Sequence, residues 1–204
     1  TSAIIQEKVE FSNLGLVIID EQHRFGVAKR QKILEKSHQK MPHLLAMTAT
    51  PIPRSLQLTL FGDLGISILK EKPEGRKPVQ TEIISPASRA PMNIRIKTEI
   101  SNGRQVFVIV PAIQEGKNEE IKSVEAEFKR LKRDFKEFRI LQLHGKMKSE
   151  EKEQIMADFL AKKADILLST TVIEVGIDVP NASVIVIENA DRFGLAQLHQ
   201  LRGR

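Results

Sequence analysis

Short, almost uninterrupted apolar runs recur along the chain: Leu16-Val17-Ile18-Ile19, Leu44-Leu45-Ala46-Met47, Val106-Phe107-Val108-Ile109-Val110, Ile140-Leu141, Ile166-Leu167-Leu168 and Val184-Ile185-Val186-Ile187. Rich in Val and Ile and without polar alternation, they predict strands buried on both faces of a parallel sheet. Between them, apolar residues return at helical spacing from Val27 to Lys36, Arg54 to Phe61, Val124 to Phe135 and Glu150 to Lys162. The last segment carries Ile155, Phe159 and Leu160 as its stripe, and Ser149 before Glu150, Glu151 and Glu153 reads as a capping hydroxyl ahead of an acidic first turn. Strands alternating with helices predict an α/β fold of mainly parallel sheets flanked by helices.

Both periodicities stop at Lys72-Pro73-Glu74-Gly75-Arg76-Lys77-Pro78. Two prolines, a glycine and a cluster of charges read as a linker. The expected organisation is a first lobe over residues 1–72, a linker over 73–78 and a second lobe over 79–204. The first lobe is short for a doubly wound sheet, so further segments are expected before Thr1, and the helix-like run ending at Arg204 points to more beyond it. No internal repeat or low-complexity tract is visible.

Composition changes this picture little. With 204 residues, 41% hydrophobic and 28% charged, the chain suits an ordinary globular protein and excludes collagen-like or disordered classes. The absence of Cys excludes disulfides and thiolate metal sites, and fits a reducing compartment. No apolar run reaches the roughly 18–20 residues of a membrane span, and the first residues lack the pattern of a signal peptide. A net charge of +6 is compatible with a polyanionic partner and weak evidence on its own.

Chemistry-bearing residues follow the strands. Asp20 and Glu21 come directly after the run Leu16–Ile19, at the edge where open α/β sheets bind ligands. An Asp there can hold Mg²⁺ and the next Glu can polarise a water, although an acidic turn has the same signature. Thr48-Ala49-Thr50-Pro51 follows the second run and reads either as a polar relay or as ordinary turn chemistry. Ser169-Thr170-Thr171 follows Ile166–Leu168 and leads to Gly176 and Asp178, where backbone could approach a phosphate and a carboxylate could accept from a ribose hydroxyl. A simple strand-to-loop crossing explains the same residues. Gln200, Arg202 and Arg204 lie in a helix-like run whose arginines suit phosphate recognition or a solvated helix end.

Other chemistries are excluded. His23, His38, His43, His144 and His199 have no paired metal-ligand spacing, and there is no Gly-x-Ser-x-Gly elbow. A phosphate-cradling loop needs Gly-x-x-x-x-Gly-Lys-Ser/Thr. Gly116-Lys117 and Gly145-Lys146 are followed by Asn118 and Met147, so no such loop is present in these residues.

In order, Asp-Glu-x-His, Thr-Ala-Thr-Pro, Thr-Thr-x-x-x-x-Gly-x-Asp and Gln-x-x-Gly-Arg resemble the motif series of superfamily 2 helicases. The wording of residues 20–27, 47–54, 171–182 and 193–204, with Leu143-His144-Gly145-Lys146-Met147-Lys148 and Glu74-Gly75-Arg76-Lys77-Pro78-Val79, is similar to the RecG family of bacterial ATP-dependent DNA helicases. The motor of the transcription-repair coupling factor shares much of this wording, but Gln22-His23 and the linker are closer to RecG. The resemblance covers essentially the whole chain. Thr1–Gln6 matches a motif near the DNA strand, with Ser2 where the family usually has His.

The resemblance implies two incomplete RecA-like lobes with ATP and Mg²⁺ bound between them. Asp20 would hold the metal, Glu21 would activate the attacking water, and Arg204 would reach the γ-phosphate. His23, Thr48 and Thr50 would couple nucleotide state to DNA. Gly176, Asp178 and Gln200 would lie near nucleotide, and Thr170 and Thr171 would bind DNA phosphates. It further implies a bacterial, cytoplasmic enzyme of DNA repair and recombination, acting on branched or forked DNA by fork reversal and junction branch migration, with no membrane partner. A phosphate-binding loop and a DNA-gripping wedge domain would precede Thr1, leaving this segment inactive alone. A non-catalytic DNA- or protein-binding module of helicase fold is the alternative from a different functional class.

Overall fold

The apolar runs fold as parallel strands. The computed structural model describes residues 4, 6, 8–21, 27–37, 41–48, 65–69, 71, 78–111, 119–170 and 179–203, with side chains of 27–30 and 119–123 not described. The helix expected from Arg54 to Phe61 and residues 73–77 of the expected linker lie outside the described residues. The chain divides into two compact units, Thr1–Lys70 and Glu71–Arg204.

In the first unit, β1 (Leu16–Ile19) and β2 (His43–Ala46) pair in parallel, Leu16 opposite His43 and Ile19 opposite Ala46. Helix α1 (Val27–Leu34) lies between them in sequence. Val17 and Ile19 pack with Ile33 of α1, supported by Leu14, Leu34 and Leu44. Leu16, Ile18, Leu45 and Met47 remain exposed. A period of two explains this division, because alternate strand side chains serve opposite faces.

In the second unit, α2 (Arg89–Ser101), β3 (Gln105–Ile109), α3 (Glu119–Asp134), β4 (Ile140–Leu143), α4 (Ser149–Leu160), β5 (Ile166–Ser169), β6 (Ala182–Ile187) and α5 (Leu195–Arg202) follow in order. Among the described residues the sheet order is β4-β5-β3-β6, and every pair is parallel. One face packs Val106, Val108, Ile166 and Leu168 against Ile96 and Ile100 of α2, Val124 and Leu131 of α3, and Phe135 just after it. The other packs Phe107, Ile109, Leu143 and Leu167 against Met156 and Phe159 of α4 and Leu201 of α5. Two-sided coverage explains why these strands read as unbroken apolar runs.

Three local expectations are corrected. Ser149 is the first helical residue of α4 rather than its cap, Lys148 holds the cap position, and its N–H donates to Glu151 Oε2 at 3.1 Å. The buried stripe of α4 is Met156 and Phe159 with Ile155 beside it, whereas Leu160 is 48% exposed. Helix α2 has no counterpart in the periodicity reading; its stripe Ile96 and Ile100, continued by Met92, is interrupted by exposed Ile94 and preceded by Pro91.

Gln105 is buried at the start of β3 and has partners for both ends of its amide. Its Nε2 donates to the carbonyls of Phe159 at 2.7 Å and Ala164 at 2.8 Å, while Oε1 accepts from Asn181 Nδ2 at 3.1 Å. This ties the end of α4 to the sheet and leaves neither end of the Gln105 amide unpaired.

Helices α2 and α4 end alike. Gly103 at φ 79° and Lys162 at φ 57° both take the left-handed conformation. In each case the next N–H reaches back: Arg104 to Glu99 at 3.1 Å and Lys163 to Asp158 at 2.9 Å. Glycine adopts this conformation without strain, and lysine does not. Lys162→Gly is expected to stabilise the protein by about 1 kcal/mol in denaturant titration, and Gly103→Ala to destabilise it by about as much.

Candidate functional site

Strand β1 delivers its two carboxylates at the C-terminal end of the first sheet. The Met47 N–H donates to the Ile19 carbonyl at 2.8 Å, so pairing continues one position past the strands. Asp20 and Glu21 therefore emerge beside Thr48 at one sheet edge. Asp20 is exposed, and its Oδ1 accepts the Glu21 N–H at 2.8 Å. Glu21 has φ 49°, which is strained for a residue with a side chain. Such strain concentrates at functional sites, where a side chain must be aimed.

These donors suit a hydrated divalent cation better than an enclosed one. No group of three or more His, Cys, Asp or Glu able to enclose a metal occurs among the described residues. An exposed carboxylate followed by a second one instead suits Mg²⁺, which keeps most of its waters and shares phosphate oxygens. Asp20 and Glu21 fit a divalent cation that keeps most of its waters.

In the second unit, Thr170 follows β5 and is completely buried, with no hydrogen-bond partner for its hydroxyl among the described residues. Its N–H donates to the Leu143 carbonyl at 3.3 Å, which places it opposite His144 at the end of β4. His144 Nδ1 is likewise buried and unpartnered among the described residues. Two orphaned polar groups at adjacent strand ends are costly unless something binds them. Sequence reasoning does not single out His144 as a site residue; it follows β4, whose apolar run is broken by Gln142.

Gln200 is half-buried on α5, next to Leu201, whose side chain is locked in the core. Gly203 closes that helix, its N–H donating to the Gln200 carbonyl at 3.1 Å. Of the remaining sequence-derived site residues, His23, Thr50, Thr171, Gly176, Asp178 and Arg204 lie outside the described residues. A groove of about 500 Å³ lies elsewhere, lined by Met147, Glu150, Glu151, Gln154 and Ile155. Its two carboxylates make it a poor place for a polyanion.

An ion-pair network that the sequence did not reveal sits at the end of β6. Glu188 accepts from Arg89 Nη1 at 2.8 Å and Nη2 at 2.6 Å, and from Arg130 Nη2 at 3.0 Å. Arg130 also pairs with Glu127 and with Asp134 at 3.2 Å, and Asp134 accepts from Asn93 Nδ2 at 3.5 Å. The hydrogen bond to Glu188 holds the Arg89 guanidinium above its ordinary pKa. Burial works against charge on Arg130, but hydrogen bonding and attraction to Glu127 outweigh it and raise its pKa too.

Comparison with known proteins gives these sites a context. The family model "Helicase conserved C-terminal domain" matches residues 90–204, and "DEAD/DEAH box helicase" matches residues 1–59. The chain is 55% identical over its full length to the ATP-dependent DNA helicase RecG of Synechocystis, of which it covers 24%. It is 52% identical to RecG of Aquifex aeolicus and 49% identical to RecG of Thermotoga maritima, again over its full length and 26% of each. The chain thus spans between about a quarter and a third of the curated relatives it matches. Among solved structures, it is similar to Dbp5 of S. cerevisiae bound to RNA and ADP BeF3, with TM-score 0.64 and 17% identity over 99% of this chain and 53% of that one. It is also similar to the Mycobacterium smegmatis helicase Lhr bound to ssDNA and AMP-PNP, with TM-score 0.62 and 16% identity over 93% of this chain and 26% of that one. These structural likenesses bear on fold alone: the chain has the α/β architecture of RecA-like helicase domains.

Proposed function

Since the chain belongs to the helicase conserved C-terminal domain family, we propose that it is the motor segment of a RecG-type, ATP-dependent DNA helicase. The observation that carries this reading is the parallel register of β1 and β2, which puts Asp20, Glu21 and Thr48 at one sheet edge. Asp20 holds Mg²⁺, which neutralises phosphate charge when bound with nucleotide. Glu21 orients the attacking water and accepts its proton. Arg204 stabilises charge growing on the γ-phosphate, with Gln200, Gly176 and Asp178 near the nucleotide. Thr48, Thr50 and His23 relay nucleotide state towards DNA.

Thr170 and Thr171 are assigned to backbone phosphate from their place after β5. The reading extends to a bacterial, cytoplasmic protein of repair and recombination that remodels branched or forked DNA. Among the described residues, no helix is long and apolar enough to cross a membrane. The full-length protein supplies a phosphate-binding loop and a wedge domain; the open apolar face of Leu16, Ile18, Leu45 and Met47 supports a further layer packing on the first unit.

Unwinding by the full-length protein, measured on forked and on linear duplexes of equal length, tests the substrate assignment. ATP-dependent unwinding that prefers the fork is expected; equal rates on both would retract the branched substrate. In the same protein, Thr170→Val should weaken DNA binding about equally across sequences and leave the salt-dependence slope unchanged, because a neutral hydroxyl neutralises no phosphate charge.

A further inference from the structure

We propose that Glu188, clamped by Arg89 and Arg130, is a positioning residue that sets the helix carrying Gln200 and leading to Arg204. The inference rests on the nucleotide roles given above and adds a residue to which no role has been assigned.

The geometry starts from strand alternation. In β6, Val184 and Val186 face α2 and α3, whereas Ile185 and Ile187 face α4 and α5. Glu188 continues the first set, and its N–H makes the last ladder bond, to Ile109 O at 2.9 Å. Its carboxylate, 12% exposed, receives three guanidinium hydrogen bonds from two helices. The very next residue, Asn189, takes the left-handed conformation at φ 50° and ψ 51°. The chain then makes a 3₁₀ turn, Ala190–Arg192, and buries Phe193 in the core on the opposite face. Gly194 starts α5, its N–H bonded to Gln197 Oε1 at 3.1 Å.

The connection is therefore anchored on both sides of the sheet, by charge at Glu188 and by burial at Phe193, with a strained reversal between. A largely desolvated ion-pair network is weak evidence for stability, because desolvation offsets much of its attraction. Its planar, two-pronged geometry instead suits orientation. Arg130 itself is fixed by Glu127 and Asp134, so the clamp does not swing.

The test uses the full-length protein and steady-state ATP hydrolysis. Glu188→Gln keeps the shape and removes the charge, leaving two guanidinium groups facing a neutral amide. It should lower kcat about tenfold while KM for ATP stays within about twofold, the pattern of a misplaced transition-state group. Arg89→Gln, at the more exposed end of the clamp, should act in the same direction, and Glu188→Asp should recover part of the loss. Ile100→Val, a core trim in α2, serves as the control for destabilisation. Equal kcat in Glu188→Gln and Ile100→Val at matched loss of thermal stability would overturn the proposal. Glu21→Gln is assayed alongside: if it loses hydrolysis while Glu188→Gln does not, this inference fails alone. If Glu21→Gln retains hydrolysis, the nucleotide reading fails and this inference with it.

Discussion

Replacing Glu21 by Gln in the full-length protein is expected to leave ATP binding intact and remove nearly all hydrolysis. The substitution keeps the size and left-handed backbone position of Glu21, so it adds no new strain. Asp20, proposed above to hold the metal, still accepts the backbone N–H of residue 21 through its own side chain. What disappears is a group able to take a proton from the attacking water. A positioned general base contributes about 10²- to 10⁴-fold, and a loss in that range is expected here. Equilibrium nucleotide binding and steady-state phosphate release separate the two effects. Turnover within about tenfold of the parent would remove Glu21 from the role of base.

Replacing Arg204 should have an effect of similar size through a different route. The residue comes directly after Gly203, which closes α5. An arginine placed against a transferring phosphoryl group contributes about 10³- to 10⁵-fold, because charge spreads over its equatorial oxygens in the transition state. Arg204→Ala should therefore lower kcat by at least about 10³-fold, with a much smaller change in ATP affinity. Arg204→Lys should recover little, since an ammonium lacks the planar fork that bridges two oxygens. A rise in KM with unchanged kcat would assign Arg204 to ground-state binding instead.

The strands were legible because parallel sheets covered on both faces impose unbroken apolar runs, as Val106, Phe107 and Val108 illustrate. Helix α2 was not, because Ile94 points to solvent between core positions Ile96 and Ile100 and the preceding turn, and its first turn contains proline. The end of α4 misled for a related reason. Leu160 continues the apolar pattern but falls in the turn that leads to left-handed Lys162, and so stays exposed.

At the candidate site, the places of Asp20, Glu21, Thr48 and Thr170 at strand ends could be read from sequence, because each follows an apolar run. Their grouping could not, because it depends on strand register. Thr48 stands beside the acidic pair only because Ile19 pairs with Ala46. Glu188 was out of reach for the same reason. Its partners Arg89 and Arg130 lie 99 and 58 residues away, on two different helices.

The central claim is that these 204 residues carry the water-activating half of a nucleotide site and lack the phosphate-binding loop that completes it. Steady-state ATP hydrolysis by the 204-residue segment and by the full-length protein, each with and without forked DNA, tests it most directly. The account predicts DNA-stimulated hydrolysis by the full-length protein and none above background by the segment. Comparable turnover by the segment alone would contradict it.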